Sequence, residues 1–278
     1  MTHFISVNGV RLAYEDGGHG TAVVTLHGGP GMSGRNSDWQ TFQPLTDRYR
    51  LISYDQRGNN DSESLPPYSH EQFVEDLEAL RQQLGLEKMV ILGGSYGGFI
   101  ALEYALKYQQ HLHGVILRDT KAASKYEDGA KTRAIDSGLP MDEALLDKLF
   151  AGQLESDEEF SRAFGMIQPL YNVNYDPVAG AARLAQIPFR YQTHNWAFSR
   201  NQPQYDLTAS LNQIRVPVLV TVGRHDWITP LEASQEIASL IPNSQLQIFE
   251  HSGHSPQLEE TALFLQVVRQ FLNQVVPA

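Results

Sequence analysis

Apolar residues along this chain come in short bursts that end in turn residues, and the bursts alternate with segments of helical period. Stretches 22–26, 51–54 and 89–92 are largely apolar and stop at His27-Gly28-Gly29, Asp55 and Gly93-Gly94. Such runs, with little polar alternation, suit strands buried on both faces. Between the last two lies 70–84, where Phe73, Leu77, Leu80 and Leu84 recur at helical spacing and Gly85 supplies a stop. A second helix is predicted over 96–108 and a strand at 115–117. Strand and helix in alternation imply an α/β protein with a parallel sheet. At the start, Asn8-Gly9 separates 4–7 from 10–14 and predicts an antiparallel hairpin.

The alternation then stops. Residues 121–205 offer no convincing strand pair, only helix-like pieces such as 141–150 with Leu145, Leu146 and Leu149, an acidic stretch at 155–159, and many aromatics. The sheet resumes with a strand at 218–222, a helix near 230–240, a strand at 246–249 and a last helix over 256–275. The expected organisation is one core formed by 1–120 and 206–278, with 121–205 inserted as a helical cap.

Charge and composition narrow the classes of partner. A net charge of -11 repels polyanions, so no nucleic-acid partner is expected. No stretch reaches the roughly 20 apolar residues of a membrane helix, and the start lacks a basic region followed by an apolar run. The expectation is a cytoplasmic protein with a small-molecule substrate and no membrane partner. The absence of cysteine removes thiolate nucleophiles and cysteine-held metals, leaving other side chains for any covalent chemistry.

The candidate chemistry starts at Gly93-Gly94-Ser95-Tyr96-Gly97, which follows a predicted strand and opens a predicted helix. That context turns a common string into a sharp turn that projects a serine hydroxyl. A hydroxyl is a weak nucleophile without a base. His254, in the loop between the last strand and the last helix, is placed to be that base, with His251 as a neighbour that proximity alone does not eliminate. An acid should leave a strand between serine and histidine in chain order. Asp226, after the 218–222 strand, does so, and Asp119 competes. For either acid the plain alternative is a loop-capping carboxylate or a partner of Arg118 or Arg224. His27-Gly28-Gly29-Pro30-Gly31 would bring backbone close to a substrate, making the N–H groups of Gly29 and Tyr96 the candidate oxyanion donors. If His254 is the base, turnover should rise with pH through roughly 6–7. His111-Leu112-His113 lacks a nearby acidic and histidine ligand cluster, so no metal is expected.

These segments, together with Tyr54-Asp55-Gln56-Arg57-Gly58 and Val222-Gly223-Arg224-His225-Asp226, resemble in order the motifs of the proline iminopeptidase-like branch of the α/β-hydrolase superfamily. The resemblance spans most of the chain outside 121–205. It implies an eight-stranded, mostly parallel sheet flanked by helices, an inserted helical cap, a Ser-Asp-His triad and no cofactor. Aminopeptidases of this branch hold the substrate ammonium with glutamates, one of which in some members directly follows the catalytic Asp. Here Trp227 stands at that position, and the cap stretch His194-Asn195-Trp196-Ala197-Phe198 carries Asn195 where a carboxylate is expected. A smaller departure is Asn59-Asn60, where a glycine is usual.

A buried ammonium without charge partners is poorly compensated. The expectation therefore moves to an uncharged carboxylic ester or lactone held among aromatics, with Trp196, Trp227, Asn195, Tyr171 and Phe198 as substrate contacts and Tyr175, Phe189 and Tyr191 as further candidates. The alternatives are a prolyl aminopeptidase or amidase, and a ligand-binding protein without catalysis on the same fold.

Overall fold

The computed structural model describes residues 1–276. Strands β1 (His3–Val7) and β2 (Val10–Gly17) form the hairpin, with Asn8 at φ 45° and Gly9 at φ 79°. A two-residue turn of this hand needs two such positive angles. There follow β3 (Ala22–Leu26), β4 (Arg50–Tyr54), β5 (Met89–Gly94), β6 (Leu112–Arg118), β7 (Val218–Gly223) and β8 (Ser244–Phe249). Among the described residues these eight strands make one sheet in the order β1-β2-β4-β3-β5-β6-β7-β8. The pairings β1–β2 and β2–β4 are antiparallel and the others parallel.

Helices α1 (Arg35–Phe42), α2 (His70–Gln83) and α3 (Tyr96–Tyr108) belong to the first part of the chain. Between β6 and β7 come α4 (Glu127–Ile135), α5 (Glu143–Ala151), α6 (Asp157–Ile167), α7 (Pro177–Leu184) and α8 (Tyr191–Trp196). Then follow α9 (Leu231–Leu240), the short α10 (Pro256–Glu259) and α11 (Thr261–Val275).

The continuous apolar runs are explained by two covered faces. Val24, Ile52, Ile91, Val115 and Val220 pack with Phe73, Leu77, Ile100 and Leu102 of α2 and α3. Their strand neighbours Val23, Leu51, Val90, Leu92, Ile116 and Leu219 pack on the other side with Phe42, Phe264, Val268 and Phe271 of α1 and α11. Successive side chains of a strand point to opposite faces, so both must be apolar when helices cover both. The helices between β6 and β7 hold a separate cluster that includes Leu146, Leu149, Phe160, Phe164 and Ile167. An isolated antiparallel bridge, Ala123 to Asp206, joins the two ends of that excursion.

Three local features differ from the sequence pattern. The segment of α1 carries Arg35, Asn36, Ser37, Asp38, Gln40 and Thr41 and has no apolar stripe, so periodicity passed over it. The acidic stretch at 155–159 is a helix start. Ser156 Oγ accepts from the Glu159 N–H at 3.1 Å, and the Glu159 carboxylate accepts from the Glu155 N–H at 2.7 Å. These two caps, with acids at the positive end of the dipole, begin α6. The last helix breaks at Glu260, whose carboxylate turns back to accept from Ser252 Oγ at 2.6 Å and the His251 N–H at 3.1 Å. Among the described residues, no helix is long and apolar enough to cross a membrane.

The Tyr54–Gly58 motif is a brace. Asp55 accepts from the Arg35 N–H at 2.6 Å and pairs with its guanidinium, and Gln56 Nε2 donates to the His27 carbonyl at 2.8 Å. Asn59 Oδ1 accepts from the Gly31 N–H at 2.6 Å, and Asn60 takes φ 44°, a left-handed angle that asparagine tolerates where glycine is usual. Asn59 thus fastens the 27–31 turn to the loop after β4, and Asn60 Nδ2 donates to Asp55 at 3.0 Å. Arg57 in turn is buried against Asp76 of α2, with one bond of 2.8 Å and a second beside it. Asp76→Ala would leave that guanidinium buried and unpaired, and is expected to cost about 3–5 kcal/mol in equilibrium urea unfolding. A loss below about 1 kcal/mol would show that the pair does not anchor α2 to this loop.

Candidate active site

Strand β5 ends at Gly94 and α3 begins at Tyr96, so Ser95 makes the whole strand-to-helix turn. It does so at φ 52° and ψ -119°, a conformation that a residue with a Cβ rarely adopts. The turn is pinned from three sides: Ser95 N–H donates to the Arg118 carbonyl at 2.8 Å, and its own carbonyl accepts from the Gly98 N–H at 2.9 Å and Thr120 Oγ1 at 2.8 Å. A Cβ on Gly97 would collide with the Leu26 carbonyl at the end of β3, which is why small residues surround the serine. Ser95 itself is half-buried in an otherwise buried elbow.

The 27–31 turn lies directly against this elbow. A Cβ on Gly28 would sit 2.8 Å from Ser95 Cβ and 3.0 Å from the Gly94 carbonyl. Gly29 and Tyr96 line the same cavity as Ser95. Tyr96 opens α3, and the first N–H groups of a helix have no acceptor within it.

His254 Nδ1 lies 2.7 Å from Asp226 Oδ2. The carboxylate is fixed by further bonds from the Ile228 and Thr229 N–H groups at 2.9 and 3.0 Å and from Thr229 Oγ1 at 2.7 Å. An imidazole so held has Nδ1 as donor and Nε2 free to take a proton. Burial works against a charged ring, but the charge and hydrogen bond of Asp226 outweigh it and raise the His254 pKa above the ordinary imidazole value. Tyr171, from the excursion, accepts the His254 N–H at 2.8 Å, and its ring stands edge-on to the imidazole. The imidazole's side-chain hydrogen bonds run to Asp226 and Thr229, and among the described residues none joins it to Ser95 Oγ.

The competing residues are placed elsewhere. His251 is exposed. Asp119, at φ 48° and buried, accepts the Gly223 N–H on Oδ1 at 3.0 Å and makes no hydrogen bond to His254. Burial first, and then the nearby charge of Asp226, push its acid upward. Arg118 pairs with Asp38 and Arg224 with Glu250, so neither arginine claims Asp119 or Asp226 through a salt bridge. Asp119, Asp226 and His254 offer ligand atoms within 4.8 Å of one another. A cation there would have to displace the 2.7 Å bond between Asp226 and His254.

Above Ser95 the cavity is walled by Phe99, Leu149, Phe150, Phe160, Phe164, Ile167, Tyr171, Phe198 and Ile228. Its polar lining consists of Lys121, Glu127, His194, Gln202 and Thr229. Of the five side chains expected to touch substrate, Tyr171 and Phe198 lie in this wall and three do not. Asn195 is spent on the backbone of Leu154, accepting from its N–H at 3.1 Å and donating to its carbonyl at 2.7 Å. Trp196 turns away to Tyr68, with the Arg200 guanidinium 4.1 Å from its ring centroid. Trp227 joins the apolar cluster of the excursion. Phe189 belongs to the same cluster, Tyr191 packs against it, and Tyr175 Oη donates to Gln168.

The sequence reading missed Lys121, Glu127, His194 and Gln202. The buried Lys121 ammonium is paired with Glu127, and burial draws its pKa down against that pairing. A signal for the other two was present: His194, Phe198 and Gln202 recur at steps of four, one face of a helix. That period selects 194 and 198 rather than 195 and 196.

A sequence model of the family described as "alpha/beta hydrolase fold" matches residues 21–261. A protein named proline iminopeptidase PfmaB from Pestalotiopsis fici is 38% identical over 283 residues, covering 99% of this chain and 100% of its own. A proline iminopeptidase of Saccharolobus solfataricus is 31% identical, with 98% and 97% covered. Among solved structures, a thermophilic esterase from Thermogutta terrifontis superposes with a TM-score of 0.79 at 26% identity over the full length of both chains. The chain belongs to the α/β-hydrolase family, in its proline iminopeptidase-like branch.

Proposed function

We propose that this chain hydrolyses an uncharged carboxylic ester or lactone through an acyl-enzyme on Ser95. The observation that carries this reading is the charge state of the cavity. Among the described residues Glu127 is the carboxylate in its lining, and Lys121 already holds it. A substrate ammonium would enter beside a buried cation and find its counter-charge taken. The esterase of Thermogutta terrifontis, similar over the whole chain, supports the same substrate class.

In this reading Ser95 Oγ attacks the acyl carbonyl while its proton passes to His254 Nε2. Asp226 holds the opposite nitrogen and stabilises the imidazolium. The carbonyl electrons move onto oxygen, which the N–H groups of Gly29 and Tyr96 receive. Collapse breaks the bond to the leaving alkoxide, which takes the proton back from His254. Water then repeats the sequence on the acyl-enzyme, and Ser95 is restored.

The names of the curated relatives favour a second reading, release of N-terminal proline from an amide. Trp227 and Asn195 no longer argue against it, since neither lines the cavity. For that reaction Glu127 would have to exchange Lys121 for the prolyl ammonium. Purified protein assayed on short p-nitrophenyl esters, acyl lactones and prolyl p-nitroanilide separates the two. The expected result is ester or lactone turnover that Ser95→Ala lowers by about 10⁶-fold, with fluorophosphonate labelling at Ser95. Faster release from the prolyl anilide overturns the substrate class, and folded protein that resists labelling overturns the mechanism.

Two further outcomes follow from His254 and Asp226. A protonated imidazole cannot accept the serine proton, so kcat/KM is lost as pH falls through the His254 pKa. Because Asp226 raises that pKa, the midpoint should lie above about 6.5 rather than within an unperturbed range. A flat profile from about pH 5 to 9, with chemistry rate-limiting, contradicts this assignment. Asp226→Asn should lower kcat by about 10⁴-fold, measured in the same assay, through loss of the correct tautomer.

A further inference from the structure

The cavity wall contains two buried acceptors with nothing to accept. His194 is 3% exposed and Gln202 is 5% exposed. His194 Nε2 lies 2.9 Å from the Leu149 carbonyl, so that nitrogen carries the proton and Nδ1 is a bare lone pair. Among the described residues, neither His194 Nδ1 nor Gln202 Oε1 has a hydrogen-bond partner. A buried acceptor without a donor costs roughly as much as a lost hydrogen bond. Both residues line the cavity that Ser95 opens into.

Their spacing is structural as well as chemical. Helix α8 passes into a π-helical turn, Ala197–Asn201, and then a 3₁₀ turn, Gln202–Gln204. His194 and Phe198 are stacked with ring centroids 4.3 Å apart. His194, Phe198 and Gln202 thus form one stripe on this irregular helix, and π turns recur where side chains are aimed at a ligand. Burial pulls the His194 pKa down to about 4, with the Leu149 hydrogen bond opposing it, so the ring is a neutral acceptor at ordinary pH. The Lys121–Glu127 pair adds no net charge to the same lining.

We propose that His194 and Gln202, with the aromatic wall between them, form a subsite that binds a neutral hydroxyl-bearing group of the substrate, the natural class being esters or lactones with a hydroxyaryl acyl portion. A hydroxyl supplies one donor, which one of the two acceptors takes, and brings no charge into a lining that is already balanced. The rings of Phe160, Phe164 and Phe198 supply faces and edges for an aromatic acyl group. A cationic donor would meet the Lys121 ammonium. This proposal rests on the acyl-enzyme reading of Ser95 and refines its substrate.

The test compares two p-nitrophenyl esters that differ by a single hydroxyl, 3-phenylpropanoate and 3-(4-hydroxyphenyl)propanoate. The readout is the ratio of their kcat/KM values on the same enzyme, so that a general loss of activity cancels. Wild-type protein should favour the hydroxylated ester by about tenfold or more. Gln202→Met keeps the side-chain length and removes Oε1. His194→Phe keeps a flat ring beside Phe198 and removes the Nδ1 acceptor together with the Leu149 hydrogen bond, whose general cost cancels in the ratio. At least one of these substitutions should bring the ratio to within about twofold of unity. A wild-type ratio near one, or a preference that survives both substitutions, overturns the subsite while leaving the acyl-enzyme reading intact. Failure of wild-type protein to cleave either ester overturns the subsite, and failure of Ser95 to take the fluorophosphonate label as well overturns the acyl-enzyme reading.

Discussion

Ser95 is held in a backbone conformation that costs of order 1–3 kcal/mol, and it persists only because its surroundings leave it no alternative. The β5–β6 register sets Gly94 beside Arg118 and so delivers the Arg118 carbonyl to the Ser95 N–H. Thr120, just past the end of β6, takes the serine carbonyl, and the Leu26 carbonyl presses against Gly97 from β3. Three parallel strands ending together therefore shape one residue. The same parallel arrangement brings the chain segments after β3, β5, β7 and β8 to one edge of the sheet, which gathers Gly29, Ser95, Asp226 and His254 from distant parts of the sequence.

Much of that arrangement is legible in the sequence because it is local. Most strands end in a turn residue and helices such as α2 and α3 carry apolar residues at helical spacing, so the order of most elements, the elbow and its candidate acid and base follow from pattern and spacing. Helix α1 was not legible, since its buried residues Arg35 and Asp38 are charged and find their partners, Asp55 and Arg118, only in the folded chain. The cavity contacts were half legible. Phe198 and Tyr171 face it, whereas Asn195 and Trp196 are neighbours on the wrong side of a helix, and a helix turns by about 100° per residue. Their chemistry suited a pocket, but their phase did not. Trp227 was misassigned for a different reason: a tryptophan beside an acid in a site can pack outward into the next layer as readily as inward.

The proposed reading turns on the charge inside the cavity, where the names of the relatives point to a different substrate. A site built for an ammonium presents a carboxylate that lacks a counter-charge in the protein. Here the protein supplies that counter-charge itself, from the residue two positions after Asp119 on the loop leaving β6. The two curated relatives are 38% and 31% identical to this chain over nearly its full length, a likeness that shows the family and does not by itself fix a function.

Both members of the acid–base pair are tied to those inserted helices. Trp227, adjacent to Asp226, is embedded among Leu146, Phe160 and Phe164, and its carbonyl accepts from Arg133 at 2.5 Å. His254 hangs by its N–H from Tyr171. The helices that wall the cavity are therefore also part of the mounting of the Asp226–His254 pair. Evolutionary drift in this layer is constrained twice over, because a change that merely reshapes the cavity can also tilt the imidazole. In the proposed reading, a new specificity is easiest to reach through the 194–202 stripe, which touches the cavity without carrying either tether.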